Sequence, residues 1–316
     1  MSAEILYVIA VVSNPERYAS REQLAQEFID RMAATPNVQL LLVRHAFGPR
    51  DHAFTIPANV WTLDLRGPDR QELWIKEAMI NAGFRDLTRR VPGWGKALWV
   101  DADIEFTRPN WVQETLAEFD HSKVLQPWSD AIDLGPNHET LETHRSMFYC
   151  YRQDIPSIDK GAKGSYGGAY WHSGFAWGIR RDAWNELGGL LDWCIMGSAD
   201  HHMAWAILGQ ADKTIPGNVS DAYRTLLFAW QAHALRAIDM QVGYVRGTIL
   251  HHWHGKKRDR RYQSRWSIQI DNEYDPILDI IRDDQGLPKL VGNKPKLRDA
   301  VRHYMRARNE DSIDLE

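Results

Sequence analysis

Apolar runs and amphipathic segments alternate through the first 127 residues of the chain. Residues 5–12 are apolar at every position, and Leu24, Phe28 and Met32 follow at a spacing of four. An unbroken apolar run predicts a strand covered on both faces, and a spacing of four predicts an amphipathic helix. Strands separated by helices in this way predict a parallel sheet with right-handed crossovers. The predicted strands are residues 5–12, 38–43, 60–65, 97–100 and 124–126, and the predicted helices are residues 21–33, 69–87 and 110–119.

The alternation weakens after Pro127. Residues 128–173 are rich in polar residues, Gly and Tyr, which predicts long loops with a β-ribbon among them; such stretches inside a compact domain are usually functional. Regular patterning then returns, and residues 266–316 predict a helical, peripheral segment. The predicted fold class is α/β, with a mixed sheet flanked by helices. The later predicted strands are residues 175–179, 241–245 and 248–251, and the later helices are residues 181–187, 200–208 and 219–238.

The composition is that of a globular protein with a core. Of the 316 residues, 44% are hydrophobic and 25% are charged, which excludes a disordered or fibrous chain. No run of about 18 apolar residues occurs, so no membrane-spanning helix is expected, and the N-terminus lacks the basic region of a signal peptide. Cys150 and Cys194 are too few for a disulfide framework or a multi-thiolate zinc site, and they fit a reducing cytoplasm.

Net charge and tryptophan content bear on the ligands. The net charge of −4 argues against a protein that coats nucleic acid. The 14 tryptophans fit either rings that stack on sugars or a core that is rich in Trp. Composition leaves both interpretations open.

The most informative stretch is the pair of carboxylates after the strand at 97–100. Residues alternate faces along a strand, so Asp101 and Asp103 are expected to point the same way from its carboxyl end. Ligands of open α/β sheets bind beyond the carboxyl ends of strands. Two carboxylates there repel each other, and Mg²⁺ or Mn²⁺ would relieve the repulsion and bridge them to a diphosphate. The alternative is a surface turn with solvated carboxylates.

Three histidines lie within four residues near position 250. In an extended segment His252 and His254 share a face, and His251 faces the other way. Imidazole beside carboxylate oxygens suits Mn²⁺, so at least one histidine is expected to bind metal or phosphate; the alternative is packing against Trp253. The run 256–265 then carries six basic residues. It is either a loop that closes on a diphosphate or a solvated basic face.

Glu77 interrupts an apolar stripe. Leu73, Ile80 and Phe84 lie on one face of the helix predicted over 69–87, and Glu77 lies within that face. A carboxylate buried there needs a partner. It either braces an active-site cation or a nucleotide, or forms a structural ion pair. Lys76 and Glu77 are therefore candidate cofactor-binding residues.

Two further segments carry candidate substrate contacts. Trp171, His172 and Trp177 lie among small residues that would let a ligand approach the backbone, with plain packing as the alternative. Asp200 lies in the first turn of a predicted helix that Ser198 can cap. Asp200 is either a favourable helix start or a general base that takes a proton from an attacking hydroxyl.

The order of these motifs resembles a glycosyltransferase of the GT-A fold, most similar to family 2-like bacterial and phage members. An N-terminal βαβ half is followed by Asp-Ala-Asp, Gly-Phe-Ala-Trp, Gly-Gly-x-x-Asp, Ala-Asp-His-His-Met and a late His-Gly. The resemblance implies a catalytic domain over 1–265, with a nucleotide-binding half at 1–127 and an acceptor-side half and closing loop at 128–265. Residues 266–316 would form a helical extension. It also implies a cytoplasmic transferase that uses Mn²⁺ or Mg²⁺ and a nucleotide-sugar donor, a UDP-sugar first of all.

The resemblance assigns the metal and the donor diphosphate to Asp101 and Asp103. A late histidine completes the metal shell in several such families, which implies His254, with His251 and His252 as rivals. The acceptor would be a glycan, a small molecule, a protein or a DNA base that carries a hydroxymethyl group.

The resemblance also implies a base and a nucleobase contact. Asp200 would be the base, but related members commonly carry Glu-Asp where this chain has Ala199-Asp200, so inversion and retention both stay open. The end of the first strand implies a nucleobase contact at Ser13 and Asn14. The basic residues implied over the diphosphate are Lys256, Lys257 and Arg258.

Two other classes of protein fit parts of the pattern. A nucleotidyltransferase, or another metal-dependent phosphate enzyme, also uses paired Asp at a sheet edge, but it would release pyrophosphate from a nucleoside triphosphate. A non-catalytic sugar-binding protein would use the tryptophans and would need neither the Asp pair nor the histidines.

Overall fold

The computed structural model describes residues 4–68, 73–157, 171–262 and 264–315. Strands and helices alternate through the first half of the chain, as the hydrophobic pattern predicts. Single 3-10 turns form at Ala211–Thr214 and Lys257–Arg260. The strands of the described residues are β1 (Leu6–Ser13), β2 (Val38–Phe47), β3 (Trp61–Gly67), β4 (Lys96–Val100), β5 (Ile104–Phe106), β6 (Val124–Gln126), β7 (Asp130–Leu134), β8 (Thr140–Ser146), β9 (Trp171–His172), β10 (Ala176–Arg180), β11 (Val242–Tyr244), β12 (Thr248–His251), β13 (Ile280–Arg282) and β14 (Pro288–Leu290). The helices are α1 (Ala19–Ala34), α2 (Lys76–Arg90), α3 (Trp111–Glu118), α4 (Met147–Arg152), α5 (Arg181–Leu187), α6 (Ala199–Ile207), α7 (Asp221–Ile238), α8 (Arg265–Asp271) and α9 (Pro295–Arg306).

A seven-stranded mixed sheet lies at the centre of the fold, in the order β11-β6-β10-β4-β1-β2-β3. Strands β4, β1, β2 and β3 run parallel, and β10 runs antiparallel between β4 and β6. The predicted fold class, a mixed α/β sheet flanked by helices, is confirmed. Because the carboxyl ends of parallel strands share one edge, the residues that follow β1 and β4 are neighbours there.

Alternate residues of β1 enter two hydrophobic cores. Ile9 packs in the core that contains the buried face of α2, and Val8 packs in the core that contains the buried face of α1. Helix α2 approaches β1 closely at Gly83, where a methyl group would lie 2.8 Å from Ile9 Cγ2. This two-sided burial is the reason for the unbroken apolar run of β1. The helix predicted over 69–87 begins at Lys76, and residues 69–72 lie outside the described part of the chain.

A second sheet has five strands, in the order β5-β12-β7-β8-β9. The predicted β-ribbon is confirmed as the antiparallel pair of β7 and β8, while residues 158–170 lie outside the described residues. Strand β12 lies between β5 and β7, and its register sets His251 opposite Ile104 on one side and Asp133 on the other. This pairing carries the late histidines to Asp103, the residue before β5.

The segment after residue 265 differs from the expected peripheral helices. It contains α8, the β13–β14 hairpin and α9, and the apolar face of α9 is buried in the same core as α2. The chain then returns to the start of α1, where the backbone N–H groups of Ala19 and Ser20 donate to Asp311 at 3.0 and 2.8 Å. This segment therefore forms part of the central fold. No helix among the described residues is long and apolar enough to span a bilayer.

Candidate active site

A cleft opens beyond the carboxyl ends of β1 and β4, the place where ligands of open α/β sheets bind. Side chains from both sheets, from α2, from α6 and from the C-terminal segment line it. Many of the residues selected from the sequence meet there although they are far apart in the chain. The predicted site residues that line the cleft are Ser13, Asn14, Lys76, Glu77, Asp101, Asp103, His172, Asp200, His254 and Lys257.

One carboxylate and two imidazoles converge at the end of β12. Asp103 Oδ2 lies 3.0 Å from His254 Nε2 and 3.8 Å from His251 Nε2, and the two ring nitrogens are 3.2 Å apart. Burial raises the pKa of Asp103, but the charges of the two histidines and Arg260 outweigh that effect and hold the pKa well below its usual range. Asp103 Oδ1 is buried and has no hydrogen-bond partner among the described residues. A carboxylate and two imidazoles with facing donor atoms fit a divalent transition metal such as Mn²⁺.

The expectation that His252 and His254 share a face is wrong. Strand β12 ends at His251, and the chain then leaves the extended conformation on which the expectation depended. The backbone N–H of His252 donates to the carbonyl of Asp103 at 2.9 Å, while its Nε2 lies 3.3 Å from Glu105 Oε2. His251 and His254 therefore meet Asp103, and the ring of His252 does not.

Asp101 takes a different partner from Asp103. Its carboxylate forms an ion pair with Lys76, the first residue of α2. Its backbone N–H donates to the carbonyl of Phe175 at 2.8 Å. Burial raises the pKa of Asp101 above its usual value, although Lys76 opposes the shift. Asp101 therefore pairs with Lys76, whereas Asp103 faces the histidines, because β4 ends at Val100 and strand alternation does not continue past it.

Asp133 was not selected from the sequence, although its carboxylate contacts His251 on the side opposite Asp103. Its Oδ1 lies 2.7 Å from His251 Nδ1, and its Oδ2 lies 2.8 Å from His144 Nε2. Burial raises the pKa of Asp133, but its histidine partners and Lys257 outweigh burial and keep the carboxylate ionised. A carboxylate on the far nitrogen of a metal-binding imidazole fixes its tautomer and orientation. The signal that could have identified Asp133 is its position inside the short strand β7, because a buried carboxylate there needs a partner.

Lys257 occupies a second acidic cluster. Asp133, Glu142 and His144 also bring donor atoms within 4.8 Å of one another. The ammonium of Lys257 forms ion pairs with both carboxylates, at 2.5 Å for Glu142. Lys257 thus already occupies both carboxylates of this cluster, and the cluster beside Asp103 is the better metal site.

Helix α2 presents a lysine and a buried glutamate to the cleft. Glu77 is 5% exposed and accepts a hydrogen bond from Trp74 Nε1 at 3.1 Å. Burial raises the pKa of Glu77 to about 7. Burial lowers the pKa of Lys76, but its acidic neighbours outweigh burial and raise it above its ordinary value. The burial predicted for Glu77 is confirmed, and the charge of the adjacent Lys76 opposes the effect of burial on the Glu77 pKa.

Asp200 lies in the first turn of α6 with one carboxylate oxygen towards the cleft. Oδ1 accepts from the backbone N–H of His201 at 2.8 Å, and Oδ2 lies 3.2 Å from where a methyl group on Gly174 would be. The absence of a side chain at Gly174 leaves that space open. The expected cap by Ser198 is wrong: its φ is 72° and its side chain makes no capping bond. Its Oγ instead accepts a 2.5 Å hydrogen bond from Arg265 Nη2.

Asn14 and His172 line the cleft and also make backbone contacts. The amide of Asn14 donates to the carbonyl of Tyr18 at 2.8 Å and accepts from its N–H at 2.9 Å, which shapes the loop after β1. The ring of His172 accepts from the backbone N–H of Gly174 at 3.1 Å. Burial lowers the pKa of His172 well below its ordinary value.

Both tryptophans predicted at the site pack away from the cleft. Trp177 is 2% exposed and stacks on Trp99 with ring centroids 5.6 Å apart. Trp171 stacks on Trp205 at 5.4 Å, and its Nε1 donates to the carbonyl of Ile155 at 3.1 Å. These rings therefore serve packing, the alternative left open by the sequence.

Two of the three basic residues predicted over the diphosphate also lie outside the cleft lining. Lys256 Nζ is 3.6 Å from Asp314, and Arg258 is largely exposed beside Asp259. The 3-10 turn at Lys257–Arg260 rotates successive side chains in different directions, so Lys257 and Arg260 enter the cleft and Arg258 does not.

Nucleotide-sugar enzymes are among the solved structures to which this chain has a distant similarity. No protein-family model matches the sequence, and no curated protein matches it. A protein from Desulfovibrio desulfuricans G20 described as a nucleotide-diphospho-sugar transferase is 12% identical, with a TM-score of 0.38 over 96% of this chain and 99% of that one. Staphylococcus aureus TarS is 11% identical, with a TM-score of 0.39, and the alignment covers 84% of this chain but 40% of TarS. Glucosyl-3-phosphoglycerate synthase from Mycobacterium tuberculosis, solved with Mn²⁺, UDP and glucosyl-3-phosphoglycerate, is 7% identical, with a TM-score of 0.39 over 88% of this chain and 80% of that one.

Proposed function

We propose that this protein is a metal-dependent glycosyltransferase that moves a sugar from a nucleotide-sugar donor to a hydroxyl acceptor. The observation that carries the proposal is the convergence of Asp103, His251 and His254 at the carboxyl edge of the parallel sheet, in the cleft that Asp200 also lines. A metal site beside a candidate base suits the transfer of a group from a diphosphate to a hydroxyl. The order of motifs, which resembles GT-A enzymes, supports the same reaction.

The donor side of the cleft is formed by β1, β4 and the late histidines. Asp103, His251 and His254 would hold the metal, which would supply Lewis-acid stabilisation of the leaving diphosphate. Arg260, whose Nη2 lies 3.1 Å from His254 Nε2, lines the same part of the cleft and would add positive charge beside the phosphates. The loop after β1, shaped by Asn14, would face the nucleobase.

Asp200 would act on the acceptor. As the acceptor oxygen forms its bond to the anomeric carbon, Asp200 Oδ2 would take the hydroxyl proton, and the bond from that carbon to the nucleoside diphosphate would break. Lys76 lies close enough for its charge to interact with Asp200 and holds Asp101 in an ion pair. These contacts would hold the carboxylates of this wall in position.

Thermal shift and product analysis test the proposal. We expect UDP and UDP-sugars to raise the melting temperature with Mn²⁺ present and to do so much less after chelation, because a ligand of the native state stabilises it. Slow hydrolysis of the bound UDP-sugar should release UDP and free sugar, and the anomer formed would distinguish inversion from retention. Release of pyrophosphate from a nucleoside triphosphate would instead identify a nucleotidyltransferase. Sugar binding that is indifferent to metal would identify a lectin-like protein.

A further inference from the structure

Four guanidinium groups line the cleft: Arg21, Arg260, Arg265 and Arg308. Glu310, which is 1% exposed, forms ion pairs with two of them, Arg21 and Arg308. Among the described residues no carboxylate lies within 4.0 Å of the other two.

Arg260 and Arg265 are both buried, at 7% exposure each. The Nε of each is buried without a hydrogen-bond partner among the described residues. A buried charge without a counter-charge is strongly unfavourable, and such groups are normally paired. Arg260 interacts electrostatically with Asp103 and Glu310. Arg265 has no carboxylate within 4.0 Å among the described residues, and because it lines the cleft, an anionic ligand is its natural counter-charge.

The two arginines face different parts of the cleft. Arg260 Nη2 lies 3.1 Å from His254 Nε2, beside the candidate metal ligands, so the donor diphosphate is its expected partner. Arg265 Nη2 donates to Ser198 Oγ at 2.5 Å, two residues before Asp200 in the chain. Arg265 therefore belongs to the wall that leads to the candidate base.

Arg265 lies in a pocket of the cleft that Trp74, Ser198 and Arg308 also line. A methyl group on Gly197 would lie 3.3 Å from Arg265 Nη1 and 3.4 Å from a Trp74 ring carbon, so the glycine lets both side chains pack close to the backbone. Arg308 lies over the Trp74 ring at 5.3 Å. The Nη1 atoms of Arg265 and Arg308 are both 3.4 Å from the Tyr304 hydroxyl, so the two guanidiniums converge.

We propose that this pocket, formed by Trp74, Ser198, Arg265 and Arg308, binds an anionic group of the acceptor. The group is a phosphate or a carboxylate, which a planar guanidinium can hold with two parallel hydrogen bonds. The proposal rests on the glycosyltransferase function, because it names the class of acceptor that the transferase uses. It narrows the acceptors to hydroxyl compounds that carry a negative charge close to the reacting hydroxyl.

Calorimetric titration with inorganic sulfate, a tetrahedral dianion, tests the pocket. The full chain is first saturated with Mn²⁺ and UDP, so that the diphosphate part of the cleft is filled, and sodium chloride at equal ionic strength is titrated as a control. We expect sulfate to bind with one site per chain while UDP stays bound. Displacement of UDP by sulfate, or the loss of sulfate binding once UDP is present, would place the anion at the diphosphate instead and overturn the proposal.

Two variants of Arg265 test whether this residue binds the sulfate. Arg265→Met should weaken sulfate binding about tenfold or more, and Arg265→Lys should retain part of the affinity, because lysine keeps the charge but loses the planar fork. Arg298→Gln, on the outer face of α9, is the matched control and should bind sulfate like wild type. Unchanged affinity in both Arg265 variants would refute the assignment. If Arg265→Met does not fold, Arg265→Lys and the wild-type competition still decide it.

The two proposals fail in different ways. Failure of UDP to bind with any divalent metal would count against the glycosyltransferase function, and the same sulfate titration without UDP would still show whether Arg265 binds anions. Binding of UDP and Mn²⁺ without any additional sulfate site would count against the acceptor pocket alone.

Discussion

The three adjacent histidines allow a sharp test of the metal site, because the structure assigns them different partners. His251 and His254 face Asp103, whereas the ring of His252 lies beside Glu105. All three are similarly buried, at 8%, 8% and 5% exposure for His251, His252 and His254. Replacement by Ala therefore leaves cavities of similar size, and His252→Ala is a matched control for the loss of packing.

The expected size of the effect follows from the contacts. Loss of a group that only orients a metal ligand typically weakens metal binding 10- to 100-fold, so loss of a ligand itself should cost at least about 100-fold. That factor corresponds to roughly 2.8 kcal/mol of binding free energy. We expect His251→Ala and His254→Ala each to lose this much Mn²⁺ affinity and His252→Ala to change it less than about threefold.

Titration of Mn²⁺ in the presence of UDP, followed by electron paramagnetic resonance, measures the free metal directly. Melting temperatures of the metal-free proteins report the cost of the cavities, which should be similar for the three variants. Equal loss of affinity in all three, or normal affinity in His254→Ala, would refute the assignment of the metal to this cluster.

Three further changes test the neighbouring groups. Asp200→Asn should lower transfer about 10²- to 10⁴-fold with unchanged UDP affinity; a helix-start role alone would cost only about 0.3–1 kcal/mol of stability and leave turnover intact. Asp133→Asn should weaken Mn²⁺ binding about 10- to 100-fold, because the charge that orients His251 is lost; unchanged Mn²⁺ affinity would leave Asp133 with a structural role. Glu77 has a folded-state pKa of about 7 against an ordinary value of 4.5, so its neutral form favours folding and that contribution is lost as the pH rises through 7. Denaturant unfolding at pH 5 and pH 8 should therefore show Glu77→Gln gaining stability relative to wild type by about 3 kcal/mol at the higher pH, and a difference that does not vary with pH would contradict the raised pKa.

The hydrophobic pattern was sufficient for most elements of the first 127 residues and for the position of the cleft. The apolar runs at β1 and β4 are long because helices cover both faces, and such runs are visible without any coordinates. Asp103 could be selected because it follows a buried strand, and Glu77 because it interrupts an apolar stripe. These are local signals, which depend on the period of a strand or a helix.

Side-chain directions beyond the ends of elements were not predictable in the same way. Asp101 and Asp103 follow β4, and His254 follows β12, so no repeating geometry relates them to the strands. The predicted alternation therefore failed for His252. The segment that joins β12 to α8 mixes a 3-10 turn with irregular backbone, which is why Lys257 enters the cleft and Arg258 faces outward.

The sequence by itself determined most strands and helices of the first 127 residues and the edge of the sheet at which chemistry would occur, because these depend on periodicity within short segments. Only the tertiary structure decided which residues complete the site. Asp133 reaches His251 through the pairing of β7 with β12, which are separated by more than a hundred residues. Glu310 and Arg265 reach the cleft because the C-terminal segment packs into the core. Such contacts depend on how segments that are far apart in the sequence pair and pack. The local pattern of hydrophobic and polar residues does not predict which of these segments become neighbours.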